Sequence, residues 1–431
     1  MNYERTLRFA RELDRTDPLR AFRERFAMPV GKDGTPLVYL CGHSLGPMPL
    51  TVRAEINQEL DDWATLAVMG HEHARRPWIP YHENLTSGLQ HLCGAQANEV
   101  VAMNSLTINL HLMLATFFKP QGRRRKLVIE AGAFPSDRHA VVGQLEWHGI
   151  SERDGLVELA PREGEDLVRE EDFERWMAAH GDEVALVLWP GIQYRTAQAF
   201  DVGRIVRAGH RAGAIVGFDL AHAIGNIPLT LHDDDADFAV WCSYKYLNAG
   251  PGAIGGAFVH ERHAEKAPGG RLAGWWGHEI ATRFLMEPGF RAEHGAAGWQ
   301  VSNPPVLAAA PLIASLKMFE EAGMDRLREK SLALTGYLEF LLAGLGEDVR
   351  LVTSSEPAAR GCQLSFRLLD ANARPSSARG RGVFEWLLAR EVICDWREPD
   401  IIRISPIPLY NTFEDVFRCG EQLEQALREI A

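Results

Sequence analysis

Apolar residues fall in short runs through the middle of the chain, and the runs alternate with amphipathic stretches. "EVVAM" (99–103), "KLVIE" (126–130), "ALVLW" (185–189), "AIVGFD" (214–219), "DFAVWCS" (237–243) and "IGGAFV" (254–259) are too short for helices and rich in Val, Ile and Phe, so they read as strands. Several are apolar at consecutive positions, the pattern of central strands covered on both faces. Between them, 136–148, 169–180 and 201–212 are helix candidates; the first opens at Ser136, a good N-cap, and closes near a glycine. Residues 51–70 form an earlier amphipathic helix. The alternation predicts an α/β fold with a mostly parallel sheet flanked by helices.

Beyond Pro304 the pattern changes. Two long helices are predicted in 304–323 and 324–345. A strand in "RGCQLSFRL" (360–368), a loop in "RPSSARGRG" (374–382) and a helix in "GVFEWLLAREV" (382–392) follow, then an extended "DIIRISP" (400–406) and a closing helix from about Thr412. Three parts are expected: an N-terminal segment, 1–50, packing with the smaller domain; a large domain, 51–303; and a small α+β domain, 304–431.

Composition narrows the function classes. The 431 residues are 46% apolar and 24% charged, ordinary for a globular chain with a large core. A net charge of −12 argues against nucleic acid or an anionic membrane as partner, while leaving room for a local cationic pocket. Six scattered cysteines contain no CxxC, which removes the main support for zinc-ribbon and thioredoxin-like readings. No signal-peptide core and no run of membrane-span length is visible, so a cytoplasmic protein with free thiols is expected.

One lysine stands out. In "CSYKYLNAGPGAIGG" (242–256), Lys245 follows an apolar strand and precedes a glycine-rich turn. A lysine there could simply cap the strand. Burial would instead favour the neutral, nucleophilic amine that imine formation needs. Upstream, "GFDLAHAIGNIP" puts Asp219 at the end of another apolar strand, with His222 just after it. A strand-end Asp paired with a Lys at the end of the next strand suits pyridoxal phosphate: the Lys forms a Schiff base and the Asp keeps the pyridine nitrogen protonated. "NSLTINLHL" (104–112) opens a helix whose backbone N–H groups, with Thr107, could hold a phosphate, although capping alone would explain it. In "AFPSD" (133–137), Phe134 could stack on a ring, while Ser136 and Asp137 could bond to polar groups. These residues recur after successive strands, where α/β sheets bind ligands. Arg403, alternating with Ile402 and Ile404, could grip a substrate carboxylate with two parallel hydrogen bonds, or be a solvated strand arginine.

Other patterns carry less. His71 and His73 in "GHEHARR" have poor metal spacing, "HDDDAD" (232–237) lacks the EF-hand glycine and reads as a solvated loop, and no metal is expected. "CGHSLGPMP" lacks the ending of a phosphate loop, and no GxGxxG follows the first strand.

"CGHSLGPMP", "AFPSD", "GFDLAHA", "CSYKYLNAG", "GWWGHE" (274–279), "VSNPP" (301–305) and "IRISPIPLYN" (402–411) occur in this order over nearly the whole chain, and together they resemble the kynureninase family. The resemblance implies an aspartate-aminotransferase-like (fold type I) pyridoxal phosphate enzyme, a homodimer with active sites at the subunit interface. It implies hydrolysis of kynurenine or 3-hydroxykynurenine to anthranilate or 3-hydroxyanthranilate plus alanine, in tryptophan degradation or NAD synthesis. By the same resemblance Lys245 and Tyr244 are catalytic. Leu106, Thr107, Phe134, Pro135, Ser136, Asp137, Asp219, His222 and Tyr244 line the cofactor site, with Trp275 and Asn303 from the neighbouring subunit. Ser44, His71, Trp276, Asn303 and Arg403 meet the substrate, and His71 and Asn303 resemble members that favour the 3-hydroxylated form. One departure is Pro190, where members often carry Ser or Thr; that hydroxyl contact is lost. The alternatives on the same fold are an aminotransferase and a cysteine desulfurase, the latter disfavoured because Cys362 reads as strand.

Overall fold

The computed structural model describes residues 2–264 and 270–430. Strands β1 (Val100–Ala102), β2 (Lys126–Glu130), β3 (Leu156–Leu159), β4 (Val184–Pro190), β5 (Ile215–Asp219), β6 (Phe238–Cys242) and β7 (Gly255–Val259) form one sheet in the order β1-β7-β6-β5-β4-β2-β3. All run parallel except β7, which is antiparallel to β1 and to β6. Alternation along the strands explains their double-sided apolar reading. Val128, Val187, Trp189, Val216, Phe218 and Trp241 face one core. Leu127, Ile129, Leu186, Leu188 and Val240 face another. Every central strand is therefore buried on both sides, and its carboxyl end is the first place polar groups can stand.

Helix α1 (Leu7–Thr16) is capped by Thr6, and α2 is Val52–Leu66. Helices α3 (Leu106–Phe117), α4 (Pro135–Trp147), α5 (Glu170–His180) and α6 (Val202–Arg211) connect the strands. Helix α4 starts with a proline at its first turn, where a missing N–H costs nothing. Helix α7 (Val306–Ala322) falls in the expected small domain, yet Leu312, Ile313, Leu316 and Phe319 belong to the core of the large sheet. Then come α8 (Met324–Ala343) and a second sheet of β8 (Val349–Leu351), β9 (Leu364–Leu368), β10 (Asp395–Arg397) and β11 (Ile401–Ile404), in the order β8-β9-β11-β10. Helices α9 (Ser377–Ala389) and α10 (Phe413–Glu429) cover it. Helix α1 packs on α10, whereas Leu19 and Phe26 of the same N-terminal segment join the large core.

Three expectations need correction, and one strand went unpredicted. The predicted loop 374–382 is helical from Ser377, because Ser376 accepts from the Arg379 N–H as an N-cap. Gly380 within that helix lets it approach Trp396, whose ring would lie 2.9 Å from an added Cβ. The predicted strand 360–368 starts only at Leu364, which leaves Cys362 in a buried bend. Strand β3, the sheet edge, escaped because "LVEL" is short and only half-buried. Asp237 of the acidic run is not solvated: it is 2% exposed and receives the Val216 N–H, His263 Nε2 and the Arg262 guanidinium.

Candidate active site

The carboxyl ends of β1, β2, β4, β5 and β6 open on one cavity lined by Leu106, Thr107, Glu130, Phe134, Asp137, Pro190, Ile192, Tyr194, Asp219, Ala221, His222, Tyr244 and Lys245. Lys245 lies three residues past β6, in the bend before the glycine-rich turn. Its Nζ is 3.1 Å from His222 Nε2, 5.8 Å from the Phe134 ring centre and 6.0 Å from that of Tyr244. Burial, then the Lys245 charge, holds His222 well below the usual imidazole range, so it is neutral and its Nε2 accepts from the amine. Its Nδ1 is buried without a partner among the described residues.

Opposite the amine stand three carboxyl groups. Asp219 ends β5 and accepts the Ala221 N–H at 2.7 Å. Asp137 is buried beside it, and burial, then the Asp219 charge, pushes its carboxyl well above the ordinary range. Glu130 ends β2 and is raised chiefly by burial. Asp137 Oδ1 has no hydrogen-bond partner among the described residues. A cationic N–H placed among them would satisfy that orphan and relieve the repulsion.

At the other end lies the start of α3. Its first intrahelical bond runs from the Asn109 N–H to the Ser105 carbonyl, so the N–H groups of residues 106–108 point outward, at the positive end of the helix dipole. Thr107 Oγ1 and Ser136 Oγ are 2.8 Å apart beside them. Phe134 is 42% exposed and offers its face to the cavity, its ring held edge-on by Tyr194 at 5.3 Å. An anion cradle, an amine, an aromatic face and a carboxylate cluster therefore converge, a donor set that fits pyridoxal phosphate: the start of α3 could take its phosphate, Asp219 its pyridine nitrogen and Lys245 its aldehyde. Pro190 lines this cavity and is paired in register with Asp219; it offers no hydroxyl.

Not every expected residue meets there. Pro135 is exposed at the first turn of α4. His71, Trp276 and Asn303 line a different cavity of about 490 Å³ with Trp63, Trp78 and Leu307. Trp275 is 51% exposed and donates to the Arg283 carbonyl at 3.0 Å. Ser44 is half-buried outside the cavity wall. Arg403 is 1% exposed, not solvated; it donates to the Tyr194 carbonyl at 2.7 Å and is paired through Nε with Asp395 at 2.6 Å. Sequence reasoning missed Glu130 and Tyr194, which line the cavity, and Asp395, which pairs with Arg403. Glu130 alone carried a visible signal, since it closes an apolar strand as Asp219 does.

The cysteines do not form a reactive thiolate. Cys362 is 1% exposed, and burial pushes its thiol up to about 11; Cys41, the half-buried one, is raised to about 12 by burial and by Asp395. Glu99, His232 and His260 also come together, but Glu99 Oε1 already accepts the Glu261 N–H at 2.8 Å and His260 Nδ1 the Arg262 N–H at 3.2 Å. Those lone pairs serve the backbone.

Similar solved structures include a mutant of C-DES with glycine covalently linked to its PLP cofactor, at TM-score 0.77 and 16% identity over 93% of this chain and 98% of that one. The cysteine desulfurase CsdA from Escherichia coli matches at TM-score 0.76 and 17% identity, over 96% and 99%. The architecture is thus that of the fold-type-I pyridoxal phosphate enzymes, the aspartate-aminotransferase-like class. Within that class, a family model for the kynureninase C-terminal domain matches residues 327–423. A kynureninase of Myxococcus xanthus is 51% identical over 99% of both chains, and one of Xanthomonas euvesicatoria pv. vesicatoria 54% over 96% of both. The chain belongs to the kynureninase family.

Proposed function

We propose that the protein is a pyridoxal-phosphate-dependent hydrolase that cleaves the Cβ–Cγ bond of 3-hydroxykynurenine, and of kynurenine less well, releasing the aromatic acid and alanine. The observation that carries the reading is the meeting of Lys245, Asp219, Phe134 and Thr107 in one cavity of a chain this similar to kynureninases. When bound, the cofactor supplies an electron sink for charge developing on the substrate.

The chain's own residues do the rest. Lys245 anchors the cofactor and, once the substrate amine takes its place, is the base for the Cα proton. Asp219 holds a proton on the pyridine nitrogen. His222, neutral, accepts from Lys245 and keeps its Nζ aimed into the cavity. Tyr244 is a phenol that burial keeps protonated, and it is the proton donor to Cβ as well as a phosphate contact. Arg403 binds the α-carboxylate with charge-assisted hydrogen bonds.

A homodimer completes the site. In support, Trp63, Trp275, Phe284, Met286 and Leu307 are exposed large apolar residues, and the His71–Trp276–Asn303 cavity lies apart from Lys245 within one chain. Either polar side chain could hold the ring hydroxyl of the 3-hydroxylated substrate. The buried, raised thiols count against a desulfurase. Lys245→Ala tests the whole reading: the visible absorbance of lysine-linked cofactor and steady-state turnover should both vanish. Retained turnover would refute it. A kcat/KM that favours kynurenine would refute the substrate preference.

A further inference from the structure

His43 is fully buried, and neither of its ring nitrogens has a hydrogen-bond partner among the described residues. A polar side chain so placed asks for an explanation, because nearly all buried polar groups in folded proteins are paired. Burial, then the charge of Arg403, drops its imidazole to about 3, so the ring is neutral and carries one N–H. Its position is fixed by the backbone: the Ser405 N–H donates to the Leu40 carbonyl at 2.9 Å, which ties the segment before His43 to the end of β11.

The neighbours of the ring link the two halves of the site. His43 Nε2 is 3.7 Å from Asp395 Oδ2, close but too long for a hydrogen bond. On the other side its ring lies 6.4 Å from that of His222, which touches Lys245. Asp395 is paired in register with Arg403 across β10 and β11, and its Oδ2 accepts from both Nε and Nη2 of that arginine. That N–H fork is the edge a bidentate carboxylate uses. A substrate carboxylate brought to the same edge would face the Asp395 charge. For both to bind, Asp395 must loosen its hold, and a nearby N–H without a partner is the one His43 can place on Nε2.

We propose that His43 is a positioning residue that receives the Asp395 carboxylate when the substrate α-carboxylate takes its place on Arg403. The proposal rests on Arg403 as the carboxylate-binding residue. No proton transfer is involved; a hydrogen bond is handed from one donor to another. Arg397 Nε lies 3.1 Å from the same Oδ2 without hydrogen-bond geometry, so its charge attracts the carboxylate but does not replace the N–H that His43 would supply.

The test uses the cofactor-loaded enzyme and measures KM and kcat for kynurenine, together with the inhibition constant of its decarboxylated amine. His43→Phe keeps a ring and removes both nitrogens; His43→Leu replaces it should the first variant not fold. The expected result is a KM raised about tenfold or more, the size of one hydrogen bond to a charged group. kcat should change less than KM, and the amine's inhibition constant should stay within about twofold. His43→Gln, which keeps an N–H donor, should recover most of the loss. An unchanged KM, or equal losses with substrate and amine, would overturn the proposal. Arg403→Leu separates the two readings: if it does not raise KM selectively over the amine constant, the arginine assignment fails. If it does while His43→Phe is silent, only the handover fails.

Discussion

Glu130 makes a quantitative forecast. The side chain closes β2 in the cavity wall, and the residue is 4% exposed. Burial pushes its carboxyl well above the ordinary value of 4.5, its own backbone N–H pulls the other way, and the charges of Asp219 and Glu158 add to the rise. In the unfolded chain the group ionises near 4.5; in the fold it keeps its proton. Folding therefore takes up a proton, so this contribution to stability is complete below pH 4.5 and is lost as pH rises toward the folded value. Each pH unit inside that window costs on the order of 1 kcal/mol. Gln has no proton to take up. In cofactor-free protein, Glu130→Gln should therefore gain stability on wild type as pH rises through that window, by on the order of 1 kcal/mol per unit, read from denaturant unfolding curves at two pH values inside it. The gap at the lower pH measures whatever else the amide changes; only its growth with pH tests the reasoning. A gap constant within about 0.5 kcal/mol would mean that Glu130 is ionised in the fold, and the account of a crowded, proton-holding carboxyl cluster would be wrong.

Three further outcomes follow from the geometry. Gly217→Ala would put a Cβ 2.1 to 2.4 Å from three ring atoms of Phe238 on the next strand, so stability should fall by about 1–3 kcal/mol with weaker cofactor retention at nearby Asp219; an unchanged melting temperature would refute the close approach. Tyr244→Phe should slow single-turnover cleavage by about tenfold or more while the cofactor still binds, and unaltered single-turnover rates would remove the phenol from the proton-donor role. Asn303→Leu should lower kcat/KM for 3-hydroxykynurenine more than for kynurenine, because a site that bonds a hydroxyl loses most with the substrate carrying it; equal losses would place the ring hydroxyl elsewhere.

The parts of the fold that were legible are those where one local rule decides. Strands β2, β4, β5 and β6 are apolar on both faces because helices cover both, and that pattern survives in a single sequence. Lys245 and Asp219 were legible for a related reason: a charge directly after such a run has little choice but to sit at the sheet's carboxyl edge. Where two rules compete, the reading failed. Residues 374–382 carry loop composition, yet the Ser376 cap and the room that Gly380 leaves for Trp396 prevail, and the segment is helical from Ser377. Arg403 has the alternation of a half-exposed strand, and nothing local reveals that Asp395 and the Tyr194 carbonyl bury it.

The proposed substrate half of the site was illegible for a different reason. Lys245, Asp219, Phe134 and Thr107 are collected by one topological device, the ends of neighbouring parallel strands. His71 follows α2 and Asn303 precedes α7, so no shared strand edge relates them to Lys245, and within one chain they line their own cavity with Trp276. Periodicity and strand order can assemble only what one chain folds together. If the ring pocket is built across a subunit boundary, its residues have no intrachain signature by which to be found, and only likeness to a family could point to them. That gives the dimer reading a sharp consequence. A chain bearing Lys245→Ala and a chain bearing Asn303→Leu should each be impaired alone. When the two are mixed and allowed to exchange, one site in each heterodimer regains both intact residues, so activity should return to about a quarter of wild type if subunits redistribute at random. Mixtures that stay at the sum of the two separate activities would show that His71, Trp276 and Asn303 serve the Lys245 of their own chain.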